Sequence, residues 1–245
     1  MKIRNTVIVV ATVGLVAMMQ TAKADFVNVG VENLDGSYSA TLQTLAANAN
    51  NSLQIGDKVF SDFSIFGVAN MYDGAGQAGN ITVTASQVGN SYLLTWSGDI
   101  AAVFNSALVG DLSLAYAVTA TDGKIYAIDQ TYVGNGSIPG VGIQVDENVY
   151  AAKGDTTTVA SSQLNDTITG TGYTSVGAVL NPALASVYVE KDIALLDSTG
   201  GFGDISIVEQ SFEQVPEAST VVAGALLLLP LGASTMRILR RHRMA

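Results

Sequence analysis

Leu112-Ser113-Leu114-Ala115-Tyr116-Ala117-Val118-Thr119 alternates large apolar with small side chains at period two, the spacing of a strand with one face in a core. Asp122-Gly123 follows as a type I′-like turn signal, and Lys124 to Tyr132 is expected to return as the hairpin partner. Outward from this pair, Val59 to Phe66, Ile81 to Ser86, Tyr92 to Ser97, Val141 to Tyr150, Thr156 to Ser162, Ser186 to Leu195 and Ile205 to Phe212 read as strands. Gly, Asn and Asp clusters separate them. About nine short strands with turns between them predict an all-β fold, an antiparallel β-sandwich. Thr41 to Asn48 carries Leu42, Leu45 and Ala46 at helical spacing and is the one short helix expected in the body.

The two ends of the chain are of another kind. Lys2 and Arg4 precede the 14-residue apolar stretch Thr6 to Met19, and Ala22-Lys23-Ala24 then sets small residues at Ala22 and Ala24, where a signal peptidase needs them. Residues 1–24 are therefore expected to be a signal peptide helix cleaved before Asp25. At the other end Val221 to Met236 is apolar for 16 residues, roughly 24 Å of helix at ~1.5 Å per residue. Extended to Ser219 and Leu239 it reaches 21 residues, the length of a transmembrane helix, with Arg237 snorkelling to the headgroups. The run is apolar on all faces. The cations Arg237, Arg240, Arg241, His242 and Arg243 lie at one end only, which orients the helix with the tail in the cytoplasm and the body outside.

Val215-Pro216-Glu217-Ala218-Ser219-Thr220, the apolar helix and the basic residues 237–243 together resemble the PEP-CTERM sorting signal. Pro216 and Glu217 match its first two motif positions, Ser219 and Thr220 its usual continuation, and Ala218 stands where a second proline would be. The resemblance implies an exopolysaccharide-producing Gram-negative source, transient anchoring in the inner membrane, and processing by an exosortase-type enzyme. On this reading the chain divides into a signal peptide (1–24), a β-sandwich body (25–214) and a sorting segment (215–245). Ile55 to Phe63, Val189 to Ile193 and Phe202 to Ser206 resemble blocks of uncharacterised exported proteins with the same tail, which implies one domain from about 26 to 213 and brings no activity with it.

Seven of the eleven basic residues lie near the two chain ends, so the span from Asp25 to Glu217 keeps Lys58, Lys124, Lys153 and Lys191 against all 21 acidic residues, a formal charge of −17. Such a surface repels nucleic acid and excludes it as a partner. No cysteine is present, so no disulfide holds the exported fold.

The body also has no arginine, and its lack of histidine and cysteine removes Ser-His-Asp and Cys-His nucleophiles and the usual zinc and copper sites. Carboxylate chemistry remains. Asp146-Glu147 is an adjacent pair, but on a strand its members point to opposite faces and read as solvated surface acids. Calcium has oxygen ligands in two Gly-rich stretches, around Asp73 and around Asp197 and Asp204. Trp96 and the nine tyrosines are candidates for stacking on sugar rings, but Tyr92, Leu94 and Trp96 share one face of a strand, which favours burial. These observations point to a non-enzymatic envelope or matrix protein without catalytic residues or an obligatory cofactor. A carbohydrate-binding module for the exopolysaccharide and a secreted glycoside hydrolase are the alternatives.

Overall fold

The computed structural model describes residues 26–70, 77–104, 108–136, 141–168, 171–197 and 201–215. Two short strands, β1 (Val27–Asn28) and β2 (Val31–Glu32), precede β3 (Tyr38–Thr41), helix α1 (Leu42–Ala46), β4 (Asn51–Ile55) and β5 (Lys58–Ala69). Helix α2 (Gln77–Asn80), β6 (Thr82–Val88), β7 (Ser91–Phe104), β8 (Leu108–Ala120) and β9 (Lys124–Gly136) follow. The chain continues through β10 (Val141–Tyr150), β11 (Thr158–Ile168), β12 (Thr171–Leu184), β13 (Ser186–Asp197) and β14 (Gly201–Val215).

These strands form two seven-stranded sheets. The first runs β1-β4-β5-β8-β13-β10-β11 and the second β12-β9-β14-β7-β6-β3-β2. All neighbours are antiparallel except β1 with β4. The sandwich is the predicted one; the central hairpin is not. Gly123 does turn the chain, at φ +73°, yet β8 pairs with β5 and β13 in the first sheet while β9 pairs with β12 and β14 in the second. Up to Thr121 the backbone remains bonded to the first sheet, with Ala120 N–H on the Ala185 carbonyl and Thr121 N–H on that of Asp57, each at 2.8 Å. Crossing over then lets the apolar row of β8 face the inner side chains of β9. A hairpin would set both rows on one side of a ribbon, still needing a second layer to cover them.

The other predicted strands lie where expected, mostly within longer elements, and β10 has the predicted bounds. Helix α1 also forms, with Thr41 as its N-cap: its Oγ1 accepts from the Thr44 N–H at 3.1 Å. Leu42 and Leu45 are buried beneath it. Helix α2 and strands β1 to β4 and β12 were not expected. The first four strands are short and polar, and β12 is interrupted by Gly172, Gly177 and Pro182, so none shows a clean alternation.

Between the sheets an aromatic cluster forms the centre of the core. Tyr116 packs against Trp96, Phe63 and Phe212, with ring centroids 5.3, 5.6 and 6.4 Å apart, and Phe60 meets Phe212 at 5.5 Å. Leu94 and Trp96 are fully buried and Tyr92 half-buried, as their shared face predicts. Polar side chains also enter this core: Lys58, Gln130, Glu147, Lys191 and Gln210 are all 1% exposed or less. Glu147 is thus not a solvated surface acid. It points inward opposite Lys191 of β13, while its neighbour Asp146 points out.

Candidate functional site

Each sheet turns one face to the core and one to solvent, and the two outer faces differ. On the second sheet a row of hydroxyls, Ser39, Thr84, Thr95 and Thr131, crosses neighbouring strands with Glu209 among them. The Thr95 hydroxyl donates to Glu209 at 3.4 Å and Tyr126 to Glu213, so acids on this face are already hydrogen-bonded.

The outer face of the first sheet is the candidate site. Pairing registers align Gly67, Ser113, Asp192, Asp146 and Gln163 in one row across β5, β8, β13, β10 and β11. On one side lies the row Ala69, Asp111, Ala194, Gln144 and Asn165, and on the other Ser64, Ala115, Glu190, Asn148 and Ser161. Small residues on β5 and β8 make a low floor, and amides and carboxylates rise from β13, β10 and β11. Gly67 is small for a reason: a Cβ there would lie 2.7 Å from the Ser113 hydroxyl. An irregularity in β5 between Ile65 and Gly67 leaves Phe66 out of register and 61% exposed beside this floor.

Electrostatically the face is acidic and its acceptors are partly unused. Ser113 donates to Asp192 at 2.8 Å and is 3.3 Å from Asp111. Burial, together with hydrogen bonding and repulsion from Asp192, pushes the Asp111 carboxyl up to about 6, so Asp111 takes up a proton in mildly acidic solution. Gln144 donates to Asp146 Oδ2 at 2.6 Å, whereas Asp146 Oδ1 is screened from water and accepts nothing. With the exposed Phe66 ring on β5 and the carboxylates and amides three and four strands away on β10 and β11, the face suits an extended ligand that presents C–H groups at one end and hydroxyl donors at the other.

At the rim the β10–β11 connection folds back over the sheet. Lys153 makes two 2.9 Å contacts with the Asp62 carboxylate and lies 5.7 Å from the centre of the Tyr188 ring. Tyr188 is thereby covered, and its cross-strand partner Tyr150 is half-exposed. Phe66, read from the sequence only as the end of a strand, is the exposed aromatic here. Only the β5 irregularity turns it out, and no periodicity announces that.

The sequence-derived candidates fare differently. Trp96 is wholly buried and forms no platform. Asp73, the cleavage residues Ala22 and Ala24, the motif from Pro216 to Thr220 and the arginines 237, 240, 241 and 243 lie outside the described residues. Val215 closes β14, opposite Lys124. Asp197 ends β13 in the first sheet, and Asp204 lies on β14 in the second, where it accepts from Ser206 at 3.3 Å. Among the described residues no three His, Cys, Asp or Glu side chains are grouped to hold a metal ion, and no helix is long and apolar enough to cross a membrane.

No protein-family model matches the chain, and no curated protein does either. Among solved structures, TmCBM61 in complex with β-1,4-galactotriose is 12% identical over 71% of this chain and 94% of its own, with a TM-score of 0.29. The mannan-recognising carbohydrate-binding module TmCBM27 is 10% identical over 62% and 89%, at 0.32. The enzymatically active domain of tailspike protein 4 from bacteriophage CBA120 is 14% identical over 64% and 19%, at 0.28. Scores this low assign neither a family nor a ligand, since one sandwich architecture serves many unrelated functions.

Proposed function

We propose that this chain is an exported, non-enzymatic carbohydrate-binding protein of the envelope or extracellular matrix. The outer face of its first sheet holds a polysaccharide low in negative charge. One observation carries the reading: exposed Phe66 stands at the β5 end of a row of hydrogen-bonding side chains, Ser113, Asp192, Asp146 and Gln163, that crosses the outer face strand by strand. An aromatic ring covers the C–H face of a pyranose, and fixed carboxylates and amides bind its hydroxyls. With Lys153 committed to Asp62, the face has no spare cation for uronate or sulfate groups, so acidic glycans are repelled.

Delivery belongs to the ends. The signal peptide exports the body, the C-terminal helix holds it at the inner membrane, and an exosortase-type enzyme recognising Val215 to Thr220 passes it to the surface or matrix. Hydrolysis is the weaker reading. Asp111 and Asp192 bond to one serine and to each other, too close to flank a glycosidic bond, which needs carboxyls about 5 Å apart or more.

Glycan-array binding of the purified protein tests the proposal. Neutral oligosaccharides are expected to bind, with at least a tenfold loss in Phe66→Ala and in Asp146→Asn. A blank array, or binding indifferent to both substitutions, removes the assignment.

A further inference from the structure

Between the two sheets, toward their β11 and β12 edges, lies a closed polar ring that the glycan reading does not use. Lys191 Nζ, on β13 of the first sheet, donates to Gln130 Oε1, on β9 of the second, at 2.6 Å and to Glu147 Oε2 on β10 at 3.0 Å. The other Glu147 oxygen accepts from the Ser162 hydroxyl at 3.3 Å, and Ser162 Oγ in turn accepts from Gln130 Nε2 at 2.9 Å. A further bond from Gln130 Nε2 to the Val145 carbonyl, at 3.2 Å, fixes which end of the amide faces the lysine. Lys191, Gln130 and Glu147 are 1% exposed or less, and the Trp96 ring centre lies 5.9 Å from Nζ.

We propose that Lys191 and Gln130 join in an intramolecular isopeptide bond that ties the two sheets together, formed by the folded protein itself with Glu147 as proton carrier. The amine already touches the amide oxygen, one bond from the carbon it must attack, and a nucleophile held this way reacts as if at very high concentration. Burial pulls the Lys191 ammonium below its ordinary value, against the opposing pull of Glu147, which favours the neutral, nucleophilic form. Water, the competing nucleophile, is shut out.

The step balances without an oxidant or cofactor. A proton passes from the Lys191 ammonium to Glu147 Oε2, freeing the lone pair on Nζ. Nζ attacks Gln130 Cδ, and the carbonyl electron pair moves onto Oε1. Glu147 returns its proton through Ser162 to Nε2. The Cδ–Nε2 bond breaks with its electrons on nitrogen, the carbonyl re-forms, and the second proton shed by Nζ leaves with the ammonia as ammonium. Glu147 ends as the carboxylate it was.

Mass spectrometry of peptides from the purified full-length chain decides the matter independently of glycan binding and of tail processing. The expected product is a branched peptide joining the Gln130 and Lys191 segments, lighter than the two together by one ammonia, about 17 Da. Recovery of both segments as separate linear peptides from folded protein overturns the proposal. Glu147→Gln is expected to leave them unlinked. Should that variant not fold, Ser162→Ala keeps the lysine, the amide and the acid, and its linked fraction shortly after synthesis is expected to fall several-fold. A linked fraction equal to the unsubstituted protein's in a folded variant overturns the proton route.

Discussion

Lys191 and Lys58 have nearly the same partners and opposite surroundings. Each buried ammonium donates to a glutamine amide oxygen and to a carboxylate: Lys191 to Gln130 and Glu147, Lys58 to Gln214 at 2.5 Å and Asp57 at 2.8 Å. Around Lys191 the acid is as buried as the lysine, and a serine connects it to the amide nitrogen. Around Lys58, at one end of the sandwich, Asp57 is 16% exposed, the Gln214 amide nitrogen donates instead to the Asp122 carbonyl at 2.6 Å, and the ammonium lies 4.1 Å from the centre of the Tyr92 ring. Burial acts to raise the Asp57 carboxyl, but the hydrogen bond and the charge of Lys58 outweigh it and hold the group below its ordinary value. A lysine, an amide and an acid together therefore do not define one chemistry. Enclosure and a proton path to the departing nitrogen distinguish a reactive ring from a latch, and Lys58 is expected to remain a free amine.

The largest test of this contrast is Lys191→Ala, which strands a carboxylate in the core and is expected to cost about 3–5 kcal/mol in denaturant unfolding before any loss of a cross-link. Lys58→Ala leaves Asp57 within reach of water and should cost less, about 1.5–3 kcal/mol. Equal losses would show that enclosure does not separate the two. The exposed pair of Lys153, 58% accessible, with Asp62 supplies a third point: Lys153→Ala should cost under about 1 kcal/mol and lose even that in high salt.

Asp111 shows the opposite case, that of an acid with no cation at all. Its carboxyl is held at about 6 in the folded chain against an ordinary 3.8, so folding takes up a proton between those values. The resulting stabilisation is complete below the ordinary value and is lost as pH rises through about 6. Melting of Asp111→Asn should match the unsubstituted protein near pH ~4 and exceed it at pH ~7. A gap that does not change with pH would break the assignment.

Legibility followed the same division between local and distant neighbours. Leu112, Leu114, Tyr116 and Val118 were recognisable as core because alternation is a property of one strand, and Leu42, Leu45 and Ala46 announced a helix by spacing alone. The partner of β8 was not recognisable. A Gly turn at residue 123 serves a hairpin and a sheet crossing equally, and the choice rests on backbone bonds to Ala185 and Asp57, far away in the chain. Of the candidate site, the acids were visible as residue types but not as a row, since Asp192 and Asp146 become neighbours only through the register of β13 with β10.

Composition and periodicity alone determined an all-β, cysteine-free, acidic body without the side chains for thiol or imidazole chemistry, because these are sums or short repeats along the chain. Tertiary structure decided which sheet each strand joins, that Phe66 faces solvent, and that Glu147 enters the core to meet Lys191. Each of those depends on pairing between residues distant in sequence, where burying an apolar row or compensating a charge selects one partner among several that local pattern permits.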